Sequence, residues 1–216
     1  MATYLDIVND VLKRLREPTV TSVDDTDYSR MLSVLVNDSK RDVEDANEWN
    51  ALSTTLTAIT TNGVFNYVLE GSRTRFRVID VWNDSDDFEM RYASTHWMNR
   101  QFTVAATQPS VPSYYNFNGV DINGDTQVDL FPIPDGAHTL RFNLIIPQAD
   151  LEDSADRILV PSHCVSMLAY SKAIAERGED SGLTSSEAYQ MYRLALADAV
   201  AIERNHYPEE MSWESI

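Results

Sequence analysis

The sequence predicts an α+β fold, with a four-helix bundle drawn from both chain ends and an antiparallel β-sandwich or barrel inserted between its second and third helices. Three observations predict it. Apolar residues recur with a helical period in the first fifty and the last fifty-odd residues. Between them, from Ala51 to Val160, short β-branched and aromatic runs alternate with turn dipeptides. A helical hairpin at the start cannot bury both its faces alone, so its partners must come from the other end.

The first helix carries Tyr4, Ile7, Val8, Val11, Leu12 and Leu15 on one stripe. Pro18 stops it, because the residue before a proline is pushed out of the α region. The second helix is expected from about Asp25 to Trp49, with Asp24, Asp25 and Asp27 at its positive end. Tyr28, Met31, Leu32, Leu35, Val43 and Ala46 form its apolar stripe, and its charged later half reads as a helix running beyond its own core.

Strands follow at Leu56–Thr60, Val64–Leu69, Phe76–Val81, Tyr114–Asn118, Thr126–Phe131 and Thr139–Pro147. Asn62-Gly63, Glu70-Gly71-Ser72, Asn83–Asp87 and Asn123-Gly124 supply the turns, and a short helix near Ser94 to Arg100 interrupts the series. Pro161 opens the third bundle helix in a first-turn position that tolerates proline, and Gly178 ends it. Thr184-Ser185-Ser186-Glu187 reads as a capping box for the last helix, which presents Ala188, Met191, Tyr192, Ala195, Ala199 and Ile202 on one face. The domain organisation that results is a helical bundle of residues 1–50 and 160–207, a β insert of 51–159 and a C-terminal tail of 208–216.

Composition narrows the function. A chain of 216 residues suits one large domain or two small ones. It has no apolar run of about 18 residues, so no membrane span is expected. The N-terminus lacks a basic region followed by an apolar core, so no secretory signal is expected. The single Cys164 forms no intrachain disulfide, and the interior of a cell, or a particle assembled there, is the natural compartment.

A net charge of −17 repels phosphate backbones and argues against ordinary nucleic-acid binding. The 17 cations are nearly all arginine, which makes geometrically fixed pairs and is favoured at interfaces. An acidic surface with reserved arginines fits a protein that assembles, and equally a monomer rich in internal pairs.

No constellation points to catalysis, a cofactor or a metal. His96, His138, His163 and His206 are scattered, and none is spaced from another as metal motifs require. His163 and Cys164 are adjacent, which on a helix turns their side chains about 100° apart, so Cys164 reads as a packing residue. Asp121-Ile122-Asn123-Gly124-Asp125 lacks the ligand ladder of a calcium loop and reads as a hairpin turn.

Two features carry sharper hypotheses. On a strand, Arg73, Arg75 and Arg77 share one face. They form either a docking stripe for a neighbour's carboxylates or internal pairs with the Asp84–Glu89 loop. In the tail, Tyr207, Trp213 and Ile216 flank or follow Pro208, and they either anchor a partner or fold back onto the bundle.

Val8-Asn9-Asp10-Val11-Leu12, then Leu15-Arg16-Glu17-Pro18-Thr19-Val20-Thr21-Ser22, then a helix closing at Trp49, resemble the head-to-tail adaptor of short-tailed phages, also called tail tubular protein A. Val128–Pro134 and Ile158-Leu159-Val160-Pro161, followed by an Ala-rich helix ending at Gly178, resemble the same family. One departure is Arg16, which stands where related chains often have glycine before the Glu-Pro step.

The resemblance implies a structural virion protein and no enzyme. It implies a ring of about a dozen copies at the neck, between a portal protein and a tail nozzle protein, assembled in the host cytoplasm. On that reading DNA is expected to pass through the lumen without specific binding, sliding along a wall lined with carboxylates. Arg73, Arg75 and Arg77 then become subunit-interface candidates, and Tyr207, Trp213 and Ile216 candidates for docking on the portal. The alternatives are a neck or head-completion protein of a long-tailed phage, or a virion-associated cell-wall hydrolase.

Overall fold

The computed structural model describes residues 1–104, 108–178 and 183–205. Within these lie five helices and two four-stranded sheets, in an α+β arrangement. The chain divides into two compact units, one of residues 1–52 with 148–216 and the other Ser53–Pro147. Residues 148–160, expected in the β insert, group with the helices because Leu151, Ile158 and Val160 are buried there.

In the helical unit, α1 spans Tyr4–Arg14 and starts with a reciprocal cap. Thr3 accepts from the Asp6 N–H, and the Asp6 carboxylate accepts from the Thr3 N–H. Of its predicted stripe, Tyr4, Ile7, Val8, Val11 and Leu12 are buried, while Leu15 is half-buried at the C-terminal cap. Helix α2 spans Asp27–Ala46, capped by Thr26 and Ser29 in the same reciprocal way. Its buried face differs from the expected one. Leu32 and Val43 are buried, but Ser29, Val36, Ser39, Lys40 and Glu44 complete the stripe, while Ala46 is exposed.

Helix α4 spans Ser162–Arg177 and ends at Gly178, whose φ of 64° and N–H bonded to the Ile174 carbonyl make the left-handed stop that glycine allows. Helix α5 spans Leu183–Arg204, so Thr184 lies inside its first turn rather than at its cap. Helices α1, α2 and α4 pack on one another, whereas α5 packs chiefly on α4. The helical ends therefore form a three-helix core with α5 laid against one member.

In the β unit, the sheet order is β1-β8-β3-β4 in one layer and β2-β7-β6-β5 in the other. The strands are β1 Ser53–Ile59, β2 Asn66–Val68, β3 Arg77–Asn83, β4 Phe88–Glu89, β5 Arg91–Tyr92, β6 Tyr114–Val120, β7 Thr126–Phe131 and β8 Thr139–Ile145. Val81, Leu140, Phe142 and Leu144 from the first sheet meet Tyr115, Val128 and Leu130 from the second in one buried cluster. Alternation along β8, where Leu140, Phe142 and Leu144 are fully buried, shows the period of two that aims one face inward.

One pairing departs from the antiparallel expectation: β5 runs parallel to β6. After β4 the chain leaves the first sheet, enters the second at β5, and reaches β6 through helix α3, Thr95–Val104. A parallel neighbour needs such a crossover, and the interrupting helix supplies it. Trp97 and Phe102 of α3 rest on Tyr114 and Phe131, with ring centroids 4.7–5.6 Å apart.

Candidate functional site and assembly surfaces

The loop of the N-terminal hairpin is held by hydrogen bonds at both of its ends. Leu15 caps α1, and Arg16 follows in the left-handed region at φ 60°. The Arg16 N–H reaches the Lys13 carbonyl at 3.1 Å and the Glu17 N–H reaches the Leu12 carbonyl at 2.9 Å. These two bonds define the helix stop that ordinarily uses glycine. Despite that departure from the related chains, the turn keeps the glycine geometry, with an exposed arginine in it.

Beyond it, the Glu17 carboxylate accepts from Arg177 of α4 at 2.6 Å, and the same guanidinium donates to the Tyr28 hydroxyl at 2.9 Å. The side-chain amide of Asn9 pairs with both backbone groups of Val20, at 2.9 and 3.0 Å. Asp25 accepts from the Thr21 and Ser22 N–H groups and the Thr21 hydroxyl. These bonds hold the Asp25 carboxyl below the usual carboxylate range, with the Thr21 hydroxyl contributing most. The motif is a rigid corner between α1 and α2.

Arg73, Arg75 and Arg77 are all exposed, but they do not lie on one strand. Only Arg77 belongs to β3, and Arg73 sits in a turn at φ 57°. The cause is Asp125, whose carboxylate accepts the N–H groups of Gly71 and Arg73 at 3.0 and 3.2 Å and curls the chain before the strand begins. The Arg73 guanidinium donates to the Pro147 carbonyl at 3.3 Å. In the loop offered as an internal partner, Asp84 pairs with Arg141 at 3.1 Å and Asp86 with His138 at 2.8 Å.

His138 is the least expected polar site. Its Nδ1 lies 2.8 Å from Asp86 and its Nε2 2.8 Å from Asp135. Neutral imidazole has one donor and one acceptor, so only the imidazolium satisfies both carboxylates. The bond to Asp135, together with Asp86, raises the pKa of His138 above its ordinary 6.5. The pair clips the β3–β4 turn to the β7–β8 loop. Asp135 stands three residues before His138 in sequence and was legible, but Asp86 was not.

Among the described residues no three His, Cys, Asp or Glu side chains converge as metal ligands. Asp121 spends its carboxylate on the N–H groups of Asn123 and Asp125, at 2.9 and 2.8 Å, around Gly124 at φ 88°. That is the expected hairpin turn. Cys164 is buried and its thiol pKa is pushed up by burial, which makes it a packing residue rather than a nucleophile. His206, Tyr207, Trp213 and Ile216 lie outside the described residues.

Two features escaped sequence reasoning. Lys40 and Glu44, in the charged later half of α2 that reads as running beyond its own core, are buried together. Met191 and Ile202 of α5, expected on its packed face, are exposed, while Ala188 and Tyr192 are buried. No helix among the described residues is long and apolar enough to cross a membrane.

The described residues thus present hydrogen-bonded corners, an internal histidine clip and exposed arginines. The family model described as SU10 adaptor protein matches residues 2–212, and the chain belongs to this family of phage head-to-tail adaptors. No curated protein matches the sequence.

Proposed function

We propose that this adaptor forms a ring in the virion neck between a portal protein and a tail nozzle, and that DNA passes through its centre. The observation that carries this reading is the family match over residues 2–212, which spans both the helical ends and the β insert. Ring formation requires head-to-tail contacts between identical subunits. In an acidic chain the exposed Arg73, Arg75 and Arg77 are suited to meet a neighbour's carboxylates. They serve this role as a turn-and-strand cluster rather than as one strand face. A net charge of −17 supports a lumen that repels the DNA backbone and lets it slide.

Tyr207, Trp213 and Ile216 are assigned to portal docking, since terminal aromatics make efficient anchors. The test is native mass spectrometry of the purified chain, alone and mixed with the portal ring encoded nearby in its genome. The expected result is a portal complex carrying about a dozen copies, the count a closed ring on a portal of matching symmetry requires. Absence of any association between folded chain and portal removes this reading.

A further inference from the structure

The β unit leaves one long strand edge open. Strand β1 is outermost in its sheet, and among the described residues it pairs only with β8. The register is continuous, from Ser53 opposite Ile145 to Ile59 opposite Thr139. An open edge is a template for another chain, and proteins blunt such edges with short strands, charges, proline or bulges. The other outermost strands follow that rule: β2, β4 and β5 are two or three residues long, and β4 and β5 carry Glu89 and Arg91. Strand β1 has seven residues and none of these guards. It also lies within Trp49–Leu69, a run without a single charged residue in a chain of net charge −17.

The ladder identifies the open backbone groups. The Thr60 N–H reaches the His138 carbonyl at 2.9 Å, one step beyond the Ile59–Thr139 pair. Bonded and non-bonded pairs alternate in an antiparallel ladder. Thr54, Leu56 and Ala58 therefore bond β8, while Ser53, Thr55, Thr57 and Ile59 turn their N–H and C=O groups outward. All four of these are exposed, Ile59 by 68%. Leu56 and Ala58 are partly buried against the core cluster.

We infer that β1 is a docking edge for β1 of a second copy, paired antiparallel about a two-fold axis at Leu56. Copies each carrying −17 repel, so they approach best where neither bears charge. In this register the strand is self-complementary, as a two-fold contact requires. Thr55 lies opposite Thr57 of the second copy and Ser53 opposite Ile59, so outward-facing residues meet each other and their open groups exchange bonds. Leu56 meets Leu56 of the second copy on the core face, which continues the apolar layer across the axis. A two-fold contact closes on itself and does not propagate. The pairing therefore describes the chain off the portal, and it goes beyond the ring reading without relying on it.

The experiment is sedimentation velocity of the full-length chain over a concentration series without portal, where a dimer is expected. Thr57→Pro removes an outward N–H and leaves the β8 ladder intact, since proline is tolerated on the open side of an edge strand. By symmetry it removes two bonds per dimer and is expected to weaken self-association by at least about tenfold. Thr57→Lys, an ordinary edge guard, is expected to do the same. Ile122→Lys, on the fully exposed β6–β7 turn, adds the same charge elsewhere and is expected to leave the dimer intact. Circular dichroism melts confirm that each variant is folded. Register is read by oxidative cross-linking with copper phenanthroline, with the native Cys164 buried. Leu56→Cys is expected to form a disulfide dimer across the axis, because non-bonded opposite residues lie within disulfide range. Thr54→Cys is not, because its two copies sit four residues apart along the strands, about 13 Å.

A wild-type chain that stays monomeric overturns this contact and leaves the ring reading standing, since that is read on the portal. A dimer indifferent to both Thr57 variants, or one cross-linked through Thr54→Cys and not Leu56→Cys, also overturns it. Hydrogen exchange of the Thr55 and Thr57 amides separates the remaining occupant: protection that arises only in the portal complex assigns the edge to another chain and overturns the pairing of copies.

Discussion

Lys40 and Glu44 lie one turn apart on α2 with both side chains fully buried, Nζ 3.3 Å from Oε1. The pair grips the chain as it returns from the β insert. Lys40 donates to the carbonyls of Gln148 and Ala149 at 2.8 and 2.9 Å, and Glu44 accepts the Gln148 N–H at 3.2 Å. A buried pair of this kind gains little by itself, but breaking it strands a charge. Lys40→Met is therefore expected to cost about 3–5 kcal/mol. Glu44→Gln retains an acceptor for both donors but leaves the buried Lys40 ammonium without its counter-charge, and is expected to cost about 3 kcal/mol, the lower end of that range. Urea unfolding followed by helical circular dichroism measures both. A loss under about 1 kcal/mol for Lys40→Met, the level of an exposed pair, contradicts the clamp.

Arg16 occupies a position whose φ of 60° disfavours every residue with a Cβ. Its side chain is exposed, and the turn it sits in is held by backbone bonds from Arg16 and Glu17 that glycine retains. Arg16→Gly relieves the left-handed strain at the cost of a floppier unfolded chain. The expected net gain is about 0.5–1 kcal/mol. A thermal melt that instead falls shows that the guanidinium stabilises the folded chain by more than its backbone strain costs.

What the sequence made legible follows a physical line. The α1 stripe was readable because apolar residues at a 3.6-residue period leave one consistent face, and all of them but the half-buried cap residue Leu15 are buried. The stop at Gly178 was readable because the left-handed turn selects glycine. Lys40 and Glu44 were not, because pattern reading sends charges outward and nothing local shows that backbone groups of residues 148–149 will meet them. The outward turn of Met191 and Ile202 was hidden for a related reason. A helix apolar on two sides does not say which side its own chain covers. Of the site candidates, the Arg73–Arg77 cluster was visible by composition, but its strand geometry failed because Asp125, fifty-odd residues away, bends the backbone at Arg73.

The His138 clip makes the β unit sensitive to pH. Its folded pKa is raised above the ordinary 6.5 by the bond to Asp135, with Asp86 assisting. A raised folded value means that the folded chain holds its proton longer than the unfolded chain does. The stabilisation is therefore complete below pH 6.5 and is lost as pH rises through the raised value. His138→Gln is expected to cost about 1–2 kcal/mol at pH 6, toward the low side of the range for hydrogen bonds to charged groups because both carboxylates are partly exposed. The difference from wild type should shrink in alkaline buffer. Urea midpoints of both proteins across pH 5.5 to 9.5, a span of about four units around the ordinary histidine value, test this. Parallel curves rule the clip out as a source of pH dependence.

Trp213 separates the two roles open to the C-terminal tail. If the tail anchors the portal, Trp213→Ala removes a large aromatic from a protein–protein contact. Portal affinity is then expected to fall by at least about 2 kcal/mol, roughly 30-fold, as for other aromatic anchors. The melting curve of the isolated chain stays unchanged, because the side chain contributes only in the complex. If the tail folds back on the helical unit, the ordering reverses: the melt shifts down and portal affinity changes little. Calorimetry of portal binding, paired with a melt of the same preparation, reads both quantities. A variant unchanged in both shows that Trp213 anchors neither surface, and the portal contact must then be sought on the helical unit itself.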